Sequence, residues 1–208
     1  MDLERFRKLP ILGILRGIAP EDVVPLVETI EEGGLEAMEI TMNTPVAAEL
    51  IEQAVKASKN NLMIGAGTVL DLKGLKSALG AGATFIVTPV LIKEVMEYCL
   101  KRKIPVFSGA LTPLEIYNAW AAGAAMVKVF PAKFFGPEYF REIKGPFNQI
   151  ELLACAGVTA QNMRDYFQNG ANAVSFGASV FKKEWLAKKD YQNIGQSIRE
   201  FIQGFRHG

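Results

Sequence analysis

Eight short apolar runs recur along this chain, each followed by an amphipathic stretch, and that alternation restricts the fold more than any other feature. The runs cover 11–16, 37–42, 62–68, 85–88, 105–110, 126–131, 150–156 and 173–179. The stretches between them read as helices over 20–33, 45–58, 71–80, 91–102, 113–122, 137–144, 160–169 and 190–205. Helix-start signals stand at Pro20-Glu21-Asp22, Thr44-Pro45, Thr112-Pro113 and Gly136-Pro137. Glycines mark several ends, at Gly33-Gly34, Gly80, Gly123 and Gly170. Strict strand-then-helix order argues for a parallel sheet covered by helices. About eight such units suit a closed (β/α)8 TIM barrel, whereas an open doubly wound sheet usually has fewer strands. No linker, low-complexity tract or charge block interrupts the pattern. The expectation is one α/β domain over 1–208, with a short N-terminal helix within 1–9.

Composition excludes several functions. With 208 residues, 50% of them hydrophobic, the chain can fill one core. Its 23 basic and 22 acidic side chains leave a net charge of +1, which argues against a nucleic-acid partner. The N-terminus is charged from Asp2 onward, unlike a secretory leader. The most apolar candidate for a membrane span, 119–132, is broken by Lys128 and Pro131, so no membrane partner is expected. Two cysteines, Cys99 and Cys155, make no disulfide framework and suit a reducing cytoplasm. The only histidine is His207, at the chain end. A Ser-His-Asp triad and a His-rich metal site are therefore not expected. Acid–base work falls to Glu, Asp, Lys, Tyr or bound water.

A barrel places its active site at the C-terminal ends of the strands. The polar residues there are Arg16, Glu39, Thr41, Thr68, Thr88, Ser108, Lys128 and Ser179. Lys128 sits in Ala-Ala-Met-Val-Lys-Val-Phe-Pro-Ala, 124–132, where it is hardest to solvate, and is either a structural lysine paired with a barrel glutamate or a nucleophile. Burial disfavours an ammonium, and a lysine that sheds its proton attacks carbonyl carbons. Glu39, in Ala-Met-Glu-Ile-Thr-Met, is the second charge inside an apolar run. It is either a charge partner for Lys128 or its proton shuttle. Arg16 is either a rim salt-bridge arginine or a fork for a carboxylate or phosphate. Gly65-Ala66-Gly67-Thr68 allows close backbone approach, with Thr68 free to bond a carboxylate. Cys155-Ala156-Gly157 and Gly177-Ala178-Ser179 end the last two strands and either hold phosphate, as barrels often do there, or simply make tight turns. Pro89 and Phe130-Pro131 serve as pocket wall or as rigid loop. Cys155 reads as a packing residue. Leu114, Ile116, Tyr117 and Trp120 give 113–122 an apolar surface for the barrel or for a subunit contact.

Taken together, Leu15-Arg16-Gly17-Ile18, Glu39-Ile40-Thr41, 64–69, Ile86-Val87-Thr88-Pro89, 127–132 and Gly157-Val158 resemble the 2-keto-3-deoxy-6-phosphogluconate aldolase family of class I aldolases. Leu15-Arg16-Gly17-Ile18, Met42-Asn43-Thr44-Pro45 and Phe135-Gly136-Pro137-Glu138-Tyr139 look nearest to its 6-phosphogalactonate branch. The resemblance implies a homotrimer of barrels, without metal or cofactor, acting on a small keto acid. It implies a Schiff base on Lys128, Glu39 as acid–base, and Arg16 and Thr68 at the substrate carboxylate. Pro89 and Phe130 would line the pocket, and phosphate would sit near Gly157 and Ser179. The chain departs from the family where Asn43 replaces an arginine, and at Ala156 and Ala178, where glycine is usual. An added Cβ there works against a positive φ and against close phosphate approach. That opens an unphosphorylated substrate, such as 4-hydroxy-2-oxoglutarate. Two other readings stand beside the aldolase: a phosphate-binding isomerase or epimerase without a covalent step, and a ligand-binding barrel without turnover.

Overall fold

Eight parallel strands close on themselves in chain order, β1 Ile11–Leu15, β2 Ala37–Thr41, β3 Met63–Gly67, β4 Ile86–Thr88, β5 Val106–Ala110, β6 Met126–Val129, β7 Leu152–Cys155 and β8 Ala173–Phe176. The ring shuts where Leu12 of β1 pairs with Ser175 of β8. This computed structural model describes residues 1–59 and 62–206; His207 lies outside the described residues. The helices are α1 Leu3–Lys8, α2 Val23–Glu32, α3 Ala47–Ala57, α4 Leu72–Gly80, α5 Lys93–Lys101, α6 Pro113–Ala121, α7 Glu138–Lys144, α8 Met163–Gln168, α9 Lys183–Ala187 and α10 Tyr191–Arg206. Short 3-10 turns occupy Pro20–Asp22 and Ala132–Phe134. The protein is a single-domain (β/α)8 barrel.

Local chemistry sets the element ends. Thr112 and Glu115 form a reciprocal capping box at the start of α6, with Pro113 in its first turn. The Thr112 and Leu111 amides donate to Glu115 and hold its carboxyl below the usual range. The helix read over 45–58 starts only at Ala47, because Val46 takes a left-handed φ of 51°. The one read over 160–169 loses its first turn to a loop closed by Thr159 and Asn162. The strands stop short of the sequence reading at several C-terminal ends, so Arg16, Thr68, Phe130 and Ser179 stand in loops just beyond them.

The core has two shells, separated by the period-2 alternation of the strands. Leu12, Ala37, Met63, Phe85, Val87, Phe107, Met126, Leu153, Cys155 and Ala173 fill the barrel interior. Phe6 of α1 closes the N-terminal end, its ring 5.5 Å from that of Phe107. The outer shell, including Leu26, Ile30, Ile40, Ile64 and Val127, lies under the helices. Each such fully buried large side chain contributes roughly 1.5–3 kcal/mol. α10 buries Ile194, Ile198, Phe201 and Ile202 and packs on α2, joining the last unit to the first. Among the described residues, no helix is long and apolar enough to cross a membrane.

Candidate active site

The inner face that carries Ala37 also carries Glu39, and the face that carries Met126 also carries Lys128. The fold thus turns two ionisable side chains into the same enclosed space. Glu39 is 1% exposed and Lys128 is 6% exposed. Neither carboxylate oxygen of Glu39 has a hydrogen-bond partner among the described residues. A buried carboxylate without partners is costly. Burial accordingly pushes the Glu39 carboxyl above its ordinary range, and the Lys128 and Arg16 charges pull partly the other way. A carboxyl held above its ordinary range is suited to both taking and giving a proton.

Glycine makes the room. A Cβ on Gly67 would stand 2.2 Å from Glu39 Oε1, so the carboxylate occupies the space that Gly67 leaves empty. A Cβ on Gly65 would meet the Phe85 ring at 2.4 Å. On β5, a Cβ at Gly109 would meet the Pro89 carbonyl oxygen at 2.0 Å, so the loop after β4 folds over this side of the barrel mouth. The 65–67 motif therefore serves packing on one glycine and the carboxylate on the other.

Lys128 extends under the Phe130 ring, its ammonium nitrogen 5.5 Å from the ring centre. Cys155 lies on the same inner face, close enough to feel the Lys128 charge, while the Ser175 hydroxyl donates to the Ala154 carbonyl over 3.1 Å. Burial raises the Cys155 thiol, against the opposing pull of Lys128. The sequence reading gave Cys155 only a packing role. Its place on the inward face near Lys128 follows from the register of β6 and β7, where Lys128 pairs with Leu153.

Arg16 is exposed at the mouth, and its Nη2 donates to Thr68 Oγ1 over 3.4 Å. Thr68 holds a φ of 54°, an unfavourable conformation for a β-branched residue. Behind it, the Gly17 amide donates to Thr44 Oγ1, which bonds Thr41 Oγ1 over 3.1 Å. Thr41 and Thr44 thereby brace the loop that carries Arg16. Two strand-end candidates fall outside this group. Val87 and Phe107 face inward, so Thr88 and Ser108 face the helices, paired in register, their hydroxyls without hydrogen-bond partners among the described residues.

Beyond β7, Ala156 and Gly157 have φ of 75° and 88°. The Cβ of Ala156 has not forbidden a positive φ, contrary to the sequence expectation. Ala178 and Gly177 need none, so a Cβ at 178 carries no backbone strain. Ser179 Oγ donates to the Val158 carbonyl over 3.0 Å, tying the two loops together. Among the described residues, the amides of Ala156, Gly157, Ala178 and Ser179 donate to no protein acceptor. Amides left unspent at these two strand ends suit an anion. On α6, Ile116 is buried and Leu114 and Tyr117 are exposed, so this helix serves the barrel with one face only. Among the described residues, no group of three or more His, Cys, Asp or Glu side chains could hold a metal ion.

The family model for KDPG and KHG aldolases matches residues 3–197. The 2-dehydro-3-deoxy-6-phosphogalactonate aldolase of Escherichia coli is 30% identical over 200 residues, 96% of either chain. A solved native KDPGal structure superposes with a TM-score of 0.89 at 30% identity, covering 96% of both chains. KDPG aldolase from Legionella pneumophila, solved with pyruvate captured as a covalent carbinolamine, matches with a TM-score of 0.84 at 26% identity over 91% of this chain and 92% of that one.

Proposed function

Because the chain belongs to the KDPG and KHG aldolase family, we propose that it cleaves a 2-keto-3-deoxy-6-phospho sugar acid to pyruvate and glyceraldehyde 3-phosphate through a Schiff base on Lys128. The observation that carries this reading is Lys128 and Glu39 enclosed together, the carboxylate without a hydrogen-bond partner among the described residues. Lys128 Nζ adds to the C2 carbonyl, and water leaves to give an iminium. The C3–C4 bond then breaks, and its electron pair flows to the iminium nitrogen. Glu39 takes the C4 hydroxyl proton as C4 becomes the aldehyde. The enamine is protonated at C3, and hydrolysis releases pyruvate and the lysine. Enclosure keeps competing water away and holds the acid–base group close to the reacting atoms.

Arg16 and Thr68 hold the pyruvyl carboxylate, and Pro89 and Phe130 wall the pocket. The amides around Gly157 and Ser179 take the phosphate. Its retained positive φ at Ala156 supports the phosphorylated acid over 4-hydroxy-2-oxoglutarate. The reading includes a homotrimer in the reducing cytoplasm. Family membership, the two buried free thiols and the exposed Leu114, Phe134 and Phe135 support it. Light scattering on the purified protein tests the trimer. The substrate test is pyruvate release across both acids. A kcat/KM higher for the phosphorylated acid supports the assignment, and a preference for the five-carbon diacid removes it.

A further inference from the structure

We propose that Lys133 sets substrate specificity by holding the anionic far end of the keto acid, which rests on the reaction assigned above. Lys133 lies in the Ala132–Phe134 turn, just after the strand that carries Lys128. Packing fixes where its stem runs. A Cβ on Gly157 would stand 2.4 Å from Lys133 Cβ and 3.3 Å from its Cα. The lysine therefore lies against the turn whose amides are unspent, with Gly157 itself exposed. Its ammonium is 5.2 Å from the Phe134 ring centre and makes no ion pair among the described residues. Arg16, by contrast, stands at the Thr68 and Glu39 side of the mouth.

The mouth thus carries a cation at each side, and a phosphorylated keto acid carries an anion at each end. Ala156 gives the lysine its purpose. A Cβ in the left-handed turn limits how closely a phosphate approaches the backbone. An ammonium on a flexible stem reaches out to the same group without needing that approach. Gly157 is needed here for a second reason besides its φ of 88°: any side chain would push the Lys133 stem away.

The test compares wild type, Lys133→Met and Lys133→Arg. Pyruvate release is measured from the 6-phospho acid and from its dephosphorylated counterpart, and 3-phosphoglycerate binding is measured by calorimetry. Lys133→Met should lower the preference for the phosphorylated acid roughly ten-fold, with the loss in KM rather than kcat. It should weaken 3-phosphoglycerate binding by a similar factor, and Lys133→Arg should restore most of both. Equal 3-phosphoglycerate binding by wild type and Lys133→Met, including none by either, overturns the proposal. So does an equal loss with both acids, which is what a structural role would produce. The Schiff base is read separately, by borohydride trapping of pyruvate on wild type. Its failure would remove the Lys128 assignment while calorimetry still decides the role of Lys133.

Discussion

Gly67→Ala is the sharpest single perturbation available, because it moves one functional group by a distance that the structure supplies. The new methyl would stand 2.2 Å from Glu39 Oε1 and 2.6 Å from Cδ. Ordinary contact begins at 3.4 Å, so the carboxylate must retreat by about 1.2 Å. The backbone at Gly67 has no positive φ, and alanine is conformationally acceptable there. Stability then balances two small terms. Overpacking costs roughly 1–3 kcal/mol, and alanine recovers about 0.5–1 kcal/mol of the entropy that glycine loses on folding. For a chain of this size the thermal midpoint should fall by less than about 10 °C. A displacement near 1 Å at a proton-transfer group costs about 100-fold in rate. We expect kcat to fall by about that factor while borohydride still traps pyruvate on Lys128. Gly65→Ala is the matched control, since the atoms nearest its methyl are those of the Phe85 ring, at 2.4–2.6 Å. It should cost stability, with kcat per folded molecule largely kept. A Gly67→Ala enzyme with wild-type kcat would refute the assignment of Glu39.

Three further expectations follow from the same groups. Burial holds the Glu39 carboxyl above its ordinary range. The folded chain therefore keeps a proton that the unfolded chain has released, and stability falls as pH rises from the ordinary carboxyl range up to the raised value. Glu39→Gln should abolish that slope and lose no stability at pH 8 by urea denaturation, while losing roughly 100-fold or more in kcat; lower stability at pH 8 would contradict this. Thr68→Gly relieves a left-handed β-branched residue worth about 1–2 kcal/mol, more than the roughly 0.5–1 kcal/mol that glycine costs. It should unfold no more easily than wild type, yet show a several-fold higher KM, and a clear loss of stability would argue against strain at this loop. The Cys99 thiol is pushed up to about 11 and Cys155 is raised as well, both by burial. An aromatic disulfide reagent at pH 8 should label neither in the native protein and both in urea; a fast native thiol would count against the enclosed site.

Much of this was legible in the sequence, for a physical reason. A parallel sheet covered on both sides makes strands apolar throughout, so Lys128 and Glu39 stand out as charges where charges are expensive. The same uniformity hides which way a residue points. Thr88 and Ser108 have the depth of site residues but the wrong parity, and in a run apolar on both faces nothing in sequence distinguishes Val87-in from Thr88-in. The glycines at 65 and 67 announced a close approach without saying of what, because Glu39 and Phe85 arrive from neighbouring strands. Cys155 comes near Lys128, and Lys133 meets Gly157, only through the pairing of β6 with β7. The helix Lys183–Ala187 is too short to show a helical period. Ala156 shows the limit of a propensity argument: the surrounding turn imposes a φ of 75° on a residue that disfavours it.

The central claim is that the Lys128 amine forms a covalent bond with the ketone carbon of the substrate. Incubation with pyruvate and sodium borohydride, then digestion and peptide mass spectrometry, measures this directly. The expected result is one reduced pyruvate adduct per chain, on Lys128, and none on a Lys128→Arg variant that folds. Wild-type protein that turns over a keto acid and yet returns an unmodified Lys128 peptide would contradict it.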